Sequence, residues 1–128
     1  YFTQTAEAIR AQQGIIDKYI GDSVMAFWGP PFTGEADHAR LACLAALDQR
    51  ARMNVFVTKI PDILGVRKGV LPDLRVRMGI CTGDVTVGSI GSDDARSYTV
   101  IGDTVNLASR LEGVNKQYHT EIIIGPRW

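Results

Sequence analysis

An amide and a guanidinium side chain lie one helical turn apart in residues 98–111, which read YTVIGDTVNLASRL. Asn106 and Arg110 are separated by four positions, so on a helix their side chains are neighbours on one face. The preceding Gly-Asp-Thr is typical of a helix start, where free N–H groups and the helix dipole favour phosphate. The segment therefore predicts an anion-binding face, although a capped amphipathic helix with a surface arginine has the same pattern.

A second group of polar side chains lies in residues 15–28, which read IIDKYIGDSVMAFW. Two β-rich runs flank Gly21 and Asp22, which predicts a hairpin with this Gly-Asp pair in its turn. A carboxylate in a tight turn has little cover and suits a hard cation such as Mg²⁺, so Asp22 is a candidate metal ligand. Lys18 is a charged residue in an otherwise apolar strand. The simpler interpretation is that Asp22 only favours the turn and that Lys18 reaches water.

The composition restricts the kinds of partner. The 128 residues contain fourteen basic and fourteen acidic side chains and are 45% hydrophobic, which predicts one packed domain over residues 1–128. The balanced charge argues against nonspecific binding of nucleic acid or of a membrane surface. No transmembrane run or signal peptide is recognisable, so we expect a soluble, cytoplasmic domain. Cys43 and Cys81 match neither a disulfide framework nor a zinc pattern, which favours buried thiols in a reducing compartment.

Helices and strands must position these groups. The sequence pattern in the first half of the chain predicts elements of both kinds. A helical pattern ends at Gly14 and is followed by the hairpin. Asp37 is a good N-cap for a long helix that reaches residues 56–60, and Pro61 is expected to close or bend it. The apolar residues expected to form the buried stripe of this helix are Leu41, Leu44, Ala45, Leu47 and Val55.

The second half predicts short strands and one more helix. The run LRVRMGIC, residues 74–81, alternates basic and apolar residues, so it should be a strand with Val76 and Met78 on its covered side. After a turn the chain is expected to return as the strand VTVGSI, and a helix follows from about Thr104. Together with a last strand these elements predict an α+β, ferredoxin-like sandwich, with helices on one face of a largely antiparallel sheet.

Three motifs, taken in order, resemble the catalytic domain of the class III nucleotidyl cyclases. They are DKYIGDSVMAFWG, RVRMGICTGDVTVGSIG and YTVIGDTVNLASRL, and the resemblance covers nearly the whole chain. It is nearest to the bacterial and soluble-type adenylate cyclases, in VMAFWG, in the DHA helix start and in GDTVNLASRLE. The resemblance implies the class III cyclase fold and an adenylate cyclase. Such an enzyme makes 3′,5′-cyclic AMP and pyrophosphate from ATP by attack of the ribose 3′-hydroxyl on the α-phosphate.

The resemblance also implies roles in phosphate chemistry for three of these residues. Asp22 would be one of two aspartates that hold two Mg²⁺ or Mn²⁺ ions, one of which lowers the pKa of the ribose 3′-hydroxyl. Arg110 would stabilise charge on the α-phosphoryl oxygens, because a planar guanidinium offers two donors at once. Asn106 would orient the ribose.

Lys18 and Thr99 match the positions that read the base in this family. Adenine presents an acceptor at N1 and a donor at N6, which an ammonium and a threonine oxygen satisfy together, so we expect ATP to be preferred over GTP. Many family members carry aspartate where this chain has Thr99. Because a hydroxyl both donates and accepts, the preference is expected to be looser here.

The family works as a dimer, so the resemblance implies a homodimer through the catalytic face with two equivalent sites. One subunit would supply the metal ligands and the other the base and ribose contacts. The family's first metal aspartate and its late triphosphate-contacting lysine have no match in these residues, so we interpret the chain as the central part of a catalytic domain, truncated at both ends. Two alternatives stay open: a catalytically silent cyclase-homology module that regulates or dimerises, and a guanylate cyclase.

Overall fold

Helices and paired strands alternate along the chain in the computed structural model, which describes residues 2–30, 33–34, 36–64, 76–92 and 95–125. The elements in chain order are α1 (Phe2–Ala11), β1 (Ile15–Ile20), β2 (Ser23–Phe27), α2 (His38–Leu64), β3 (Met78–Ile80), β4 (Thr86–Ser92), β5 (Ala95–Ile101), α3 (Asp103–Tyr118) and β6 (Ile122–Ile124). This combination of helices and strand pairs confirms the predicted α+β class. No helix within the described ranges is long and apolar enough to cross a membrane.

The strands form an antiparallel β1–β2 pair, an antiparallel β4–β5 pair and a parallel β3–β6 pair. VTVGSI contains most of β4, as predicted, and β4 pairs with β5 rather than with β3. The loop before β4 instead packs under the start of α3, because a Cβ added at Gly83 would overlap the Thr104 side chain. β3 pairs with the strand that follows α3, as parallel strands require a crossover.

The β1–β2 hairpin has the predicted turn and one irregularity that was not predicted. Ile20 pairs with Ser23, which leaves Gly21 and Asp22 in the turn, and Gly21 has a φ of 58°, a conformation that favours glycine. Within β1 the register shifts between Ile16 and Lys18, so the residue between them is a β-bulge. Bulges change the direction in which a side chain of the bulged strand points.

The first two helices pack through small side chains. The buried apolar residues of this contact are Ala6, Ala8 and Ile9 on α1 and Leu41, Ala42, Ala45 and Ala46 on α2. The prediction of the α2 stripe is confirmed for Leu41 and Ala45 and wrong for Leu44, Leu47 and Val55, which are exposed. α1 lies against the alanine face because alanines let two helix backbones approach closely.

The helix α2 begins where the sequence predicts and ends later than predicted. The helix begins at His38, and the Asp37 carbonyl accepts a hydrogen bond from Leu41 N–H at 2.9 Å, as expected of a residue that opens a helix. The helix does not close at Pro61 but continues to Leu64. A proline removes one intrahelical hydrogen bond, and the other turns of this 27-residue helix maintain it.

α3 is held against β3 by a close approach and by a buried amide. A Cβ added at Gly79 would collide with the backbone of Ala108, so the strand and the helix touch without an intervening side chain. Asn115 is fully buried, and its Nδ2 donates to the Met78 carbonyl at 2.9 Å. Thr120 Oγ1 donates to Asn115 Oδ1 at 2.8 Å. These contacts fix the position of the helix that carries the predicted anion-binding residues.

The predicted strand at residues 74–81 is shorter in the structure. Val76 is buried and Met78 is half-buried, as expected for the covered side, whereas residues 74–75 lie outside the described residues. Cys43 and Cys81 are both free and half-buried, rather than fully buried as predicted.

Candidate functional site

The candidate site is centred on a contact between β1 and β5. Thr99 lies on β5, half-buried, and its Oγ1 donates a hydrogen bond to Asp17 Oδ2 at 3.1 Å. The backbone N–H of Val100 donates to the same oxygen, also at 3.1 Å. One carboxylate oxygen therefore joins the two strands through a side chain and a backbone group.

Asp17 is the bulged residue of β1, and its side chain is only 3% exposed. Its second oxygen, Oδ1, lies 4.0 Å from Lys18 Nζ, and the lysine side chain is 49% exposed. A half-exposed ion pair of this kind contributes at most about 1 kcal/mol to stability, so it favours this position of the ammonium without fixing it. Lys18 and Thr99, which were predicted to read one base together, thus contact the same carboxylate.

Sequence reasoning missed Asp17, although a signal for it is present. Asp17 and Lys18 are adjacent polar residues in a strand of otherwise apolar character. In a regular strand adjacent side chains point to opposite faces, so one of the two charges must point inward. An inward charge requires a buried partner, and the hydroxyl of Thr99 and the N–H of Val100 are those partners.

Asn106 and Arg110 lie on the first half of α3, and both are exposed. Gly102 caps the helix, and its carbonyl accepts the N–H groups of Val105 at 3.1 Å and of Asn106 at 3.4 Å. No side chain forms a capping hydrogen bond at this described helix start. Since β5 ends at Ile101 and α3 begins at Asp103, Thr99 lies directly before the helix that carries the other two residues.

Asp22 occupies the exposed turn of the β1–β2 hairpin. Among the described residues, no group of three His, Cys, Asp or Glu side chains could hold a metal ion. A hard cation takes about six oxygen ligands, some of which come from water or substrate phosphates. Asp22 fits one ligand of a shared metal site, and the part of the chain that is described does not form a metal site by itself.

Exposed apolar side chains follow the candidate base-reading residues along their strands. Tyr19 and Ile20 come directly after Lys18, and both are exposed. Ile101 lies two residues after Thr99, on the same face of β5, and is 68% exposed. An apolar surface beside polar groups is typical of an interaction site.

The chain is similar to known proteins over almost its whole length. The family model described as "Adenylate and Guanylate cyclase catalytic domain" matches residues 2–123. Adenylate cyclase 1 of Rhizobium meliloti is 42% identical over 123 residues, which are 96% of this chain and 17% of the Rhizobium protein. The chain thus spans about a sixth of the length of that relative.

Solved structures of similar proteins have the same fold. The adenylyl cyclase CyaB from P. aeruginosa is 38% identical with a TM-score of 0.75, over 89% of this chain and 56% of that one. The guanylyl cyclase Cya2 is 31% identical with a TM-score of 0.71, over 88% of this chain and 54% of that one. These likenesses confirm the resemblance and the cyclase fold, and the chain belongs to the adenylate and guanylate cyclase catalytic domain family.

Proposed function

We propose that the chain is the central part of an adenylate cyclase catalytic domain, which forms 3′,5′-cyclic AMP and pyrophosphate from ATP. The observation that carries this proposal is the shared carboxylate of Asp17, which holds the Lys18 ammonium and the Thr99 hydroxyl on either side of it. An ammonium and a hydroxyl oxygen held together complement the N1 acceptor and the N6 donor along one edge of adenine.

The family contains both adenylate and guanylate cyclases, so membership alone does not determine which base is bound. The choice between adenine and guanine depends on these side chains. Guanine presents N1–H and O6 where adenine presents N1 and the N6 amino group. An ammonium has no acceptor for N1–H, and a buried donor without a partner costs about 1–3 kcal/mol. Lys18 therefore supports ATP as the substrate.

Arg110 and Asn106 would act on the other end of the nucleotide. A guanidinium stabilises negative charge that develops on the α-phosphoryl oxygens, and the Asn106 amide orients the ribose whose 3′-hydroxyl attacks. Asp22 would contribute one carboxylate to divalent ions, which when bound supply Lewis-acid chemistry at the phosphates. The remaining metal ligands would come from outside the described residues.

A homodimer would complete two equivalent sites. Asn106, Arg110 and Asp22 are all exposed, whereas phosphoryl chemistry needs a site from which bulk water is largely excluded. The exposed Ile20 and Ile101 beside the base-reading residues are suited to burial against a second subunit. Metal ligands of one subunit would then face base and ribose contacts of the other.

The test is cyclic AMP production by the full-length protein with ATP and Mn²⁺. We expect product from the unmutated protein and a loss of turnover of about 100-fold or more in Arg110→Ala, because a donor aimed at developing charge is lost. Lys116→Ala, an exposed cation in the last turn of the same helix, is the matched control and should leave turnover unchanged. Unchanged turnover in Arg110→Ala would contradict its role, and a folded, dimeric protein without product would indicate the silent module instead.

A further inference from the structure

Asp17 has a hydrogen-bonding arrangement that restricts the Thr99 hydroxyl. Both Thr99 Oγ1 and Val100 N donate to Asp17 Oδ2, each at 3.1 Å. An ionised carboxylate accepts hydrogen bonds and donates none, so the hydroxyl proton of Thr99 points at Asp17. The Thr99 oxygen then has only lone pairs left for any other partner.

We propose that Asp17 is a positioning residue for base selection, which makes Thr99 an obligatory hydrogen-bond acceptor toward the purine. This inference rests on the proposed cyclase function and deepens it. A free hydroxyl can rotate to accept from the N6 amino group of adenine or to donate to O6 of guanine. With its proton held by Asp17, Thr99 accepts from the amino group and has no donor for the guanine oxygen.

The bulge and the backbone contact keep this arrangement in place. The Val100 N–H holds the carboxylate on β5, and the near-complete burial of Asp17 removes water as a competing partner for the hydroxyl. The other carboxylate oxygen, Oδ1, lies 4.0 Å from Lys18 Nζ, too far for a hydrogen bond, so the orientation of the Thr99 hydroxyl depends on Oδ2. The pair Asp17 and Thr99 thus offers the base an acceptor oxygen, as an aspartate at position 99 would. The looser preference for ATP over GTP that is expected from a lone hydroxyl therefore does not follow.

A double-mutant cycle on the full-length protein tests this proposal. Asp17→Leu keeps the approximate size of the side chain but removes both acceptor oxygens, whereas the amide oxygen of Asp17→Asn can still accept from Thr99 and Val100. The measured quantity is kcat/KM for ATP divided by kcat/KM for GTP. We expect this ratio to fall about tenfold in Asp17→Leu, because a free hydroxyl can donate to the guanine oxygen. In a Thr99→Val background, where no hydroxyl is left to orient, Asp17→Leu should change the ratio no further.

Two controls separate positioning from general stability. Asp48→Leu makes the same chemical change at an ion-paired aspartate on α2, whose carboxylate accepts from Arg52, and should leave the ratio unchanged. Thr99→Ser keeps the hydroxyl and should keep the ratio. A fall of both rates by the same factor in Asp17→Leu, with an unchanged ratio, would mean a purely structural role and would overturn the proposal.

The outcomes also distinguish this inference from the proposed function. If the unmutated protein cyclises ATP but Asp17→Leu keeps its ATP preference, only the inference fails. If the unmutated protein cyclises neither nucleotide, the proposed function fails, and the same cycle is read from the ratio of the equilibrium dissociation constants of ATP and GTP. Equal ratios in that cycle, or no binding of either nucleotide, overturn the inference as well.

A measurement without substitutions covers the case in which Asp17→Leu does not fold. In the unmutated protein the Thr99 hydroxyl proton, followed by NMR, should exchange slowly with water because it is bonded to a buried carboxylate. Fast exchange, as for an exposed threonine hydroxyl, would overturn the proposal.

Discussion

Asp17 takes part in three polar contacts at the proposed base-reading site. Two go to β5, at Thr99 and Val100, and the third goes to Lys18 on its own strand. A single side chain therefore lies beside both a cation and a hydroxyl of that site. At the scale of single residues, base preference should depend on this group of residues more than on any one member.

Lys18→Glu should reverse the polarity of one base-reading group. A carboxylate accepts the N1–H of guanine but cannot donate to N1 of adenine, so we expect the ratio of kcat/KM for ATP to that for GTP to fall about tenfold or more. Lys116→Glu, the same change at an exposed position of α3, should leave the ratio unchanged. Equal losses of ATP and GTP turnover in Lys18→Glu would contradict the base-reading role.

Cys81 gives a residue-scale prediction that is independent of catalysis. Burial raises the pKa of the Cys81 thiol, and the nearby Gly125 backbone N–H lowers it by a smaller amount. Because a raised pKa leaves less thiolate at a given pH, alkylation by iodoacetamide should be slow and should reach half its maximal rate above the pH usual for a free thiol. Mass spectrometry of a Cys43→Ser variant over a pH series measures this rate, and a midpoint at or below the usual value would contradict it.

At the scale of elements, α3 is the part whose placement matters most to the site. It carries Asn106 and Arg110, and it is anchored to β3 by the buried amide of Asn115 in its second half and by the close approach of Gly79 to Ala108, between the two candidate residues. Both candidate side chains are exposed, and these contacts fix the direction in which they leave the helix.

Asn115→Ala should weaken this anchor. It removes the donor to the Met78 carbonyl and the acceptor for the Thr120 hydroxyl, and we expect a loss of roughly 1–3 kcal/mol in the free energy of unfolding. Urea denaturation followed by circular dichroism measures the loss, with Gln117→Ala, an exposed change on the same helix, as the control. Equal midpoints for the two variants would show that the amide does not anchor α3.

The elements also show which features a sequence reveals. The hairpin turn at Gly21 and Asp22 and the start of α2 were predicted because short-range preferences determine them. The β3–β6 pairing was not, because it depends on how α3 crosses over. Leu47 was misplaced because periodicity shows which residues share a helix face but not which face α1 covers.

The same difference between local and long-range features applies to the site residues. Lys18 and Thr99 were proposed from motif resemblance, and the structure adds that they share a partner. That partner, Asp17, was missed because the residue it meets is 82 positions away in the chain. Contacts between distant residues depend on tertiary packing, which a motif does not describe.

At the scale of the whole molecule, the proposed homodimer would divide the hairpin between two sites. Lys18 would read the base in one site, while Asp22, at the turn of the same hairpin, would contact metal in the other. Each subunit then carries one half of each site, and a symmetric dimer contains two complete sites. Activity should consequently depend on the association of two chains.

Mixing two variants with impaired sites tests this division. Asp22→Asn and Lys18→Glu damage different halves, so a mixed dimer retains one intact site, and an equimolar mixture of exchanging subunits should recover about a quarter of the unmutated cyclic AMP production. Lys18→Glu mixed with Asn106→Ala is the control, because both changes affect the same half and no mixed dimer has an intact site. Recovery in the control, or none in the test mixture, would contradict the proposed arrangement.

The bulge in β1 also affects how this protein can change over evolution. The extra residue lets Asp17 face β5 without altering the pairing of the rest of the strand with β2. Loss of that one codon would restore a regular hairpin and leave the Thr99 hydroxyl free to rotate. With the proposed role of Asp17, nucleotide preference would be encoded partly in the length of a strand, and a lineage could relax it by a single deletion while Lys18 and Thr99 stay the same.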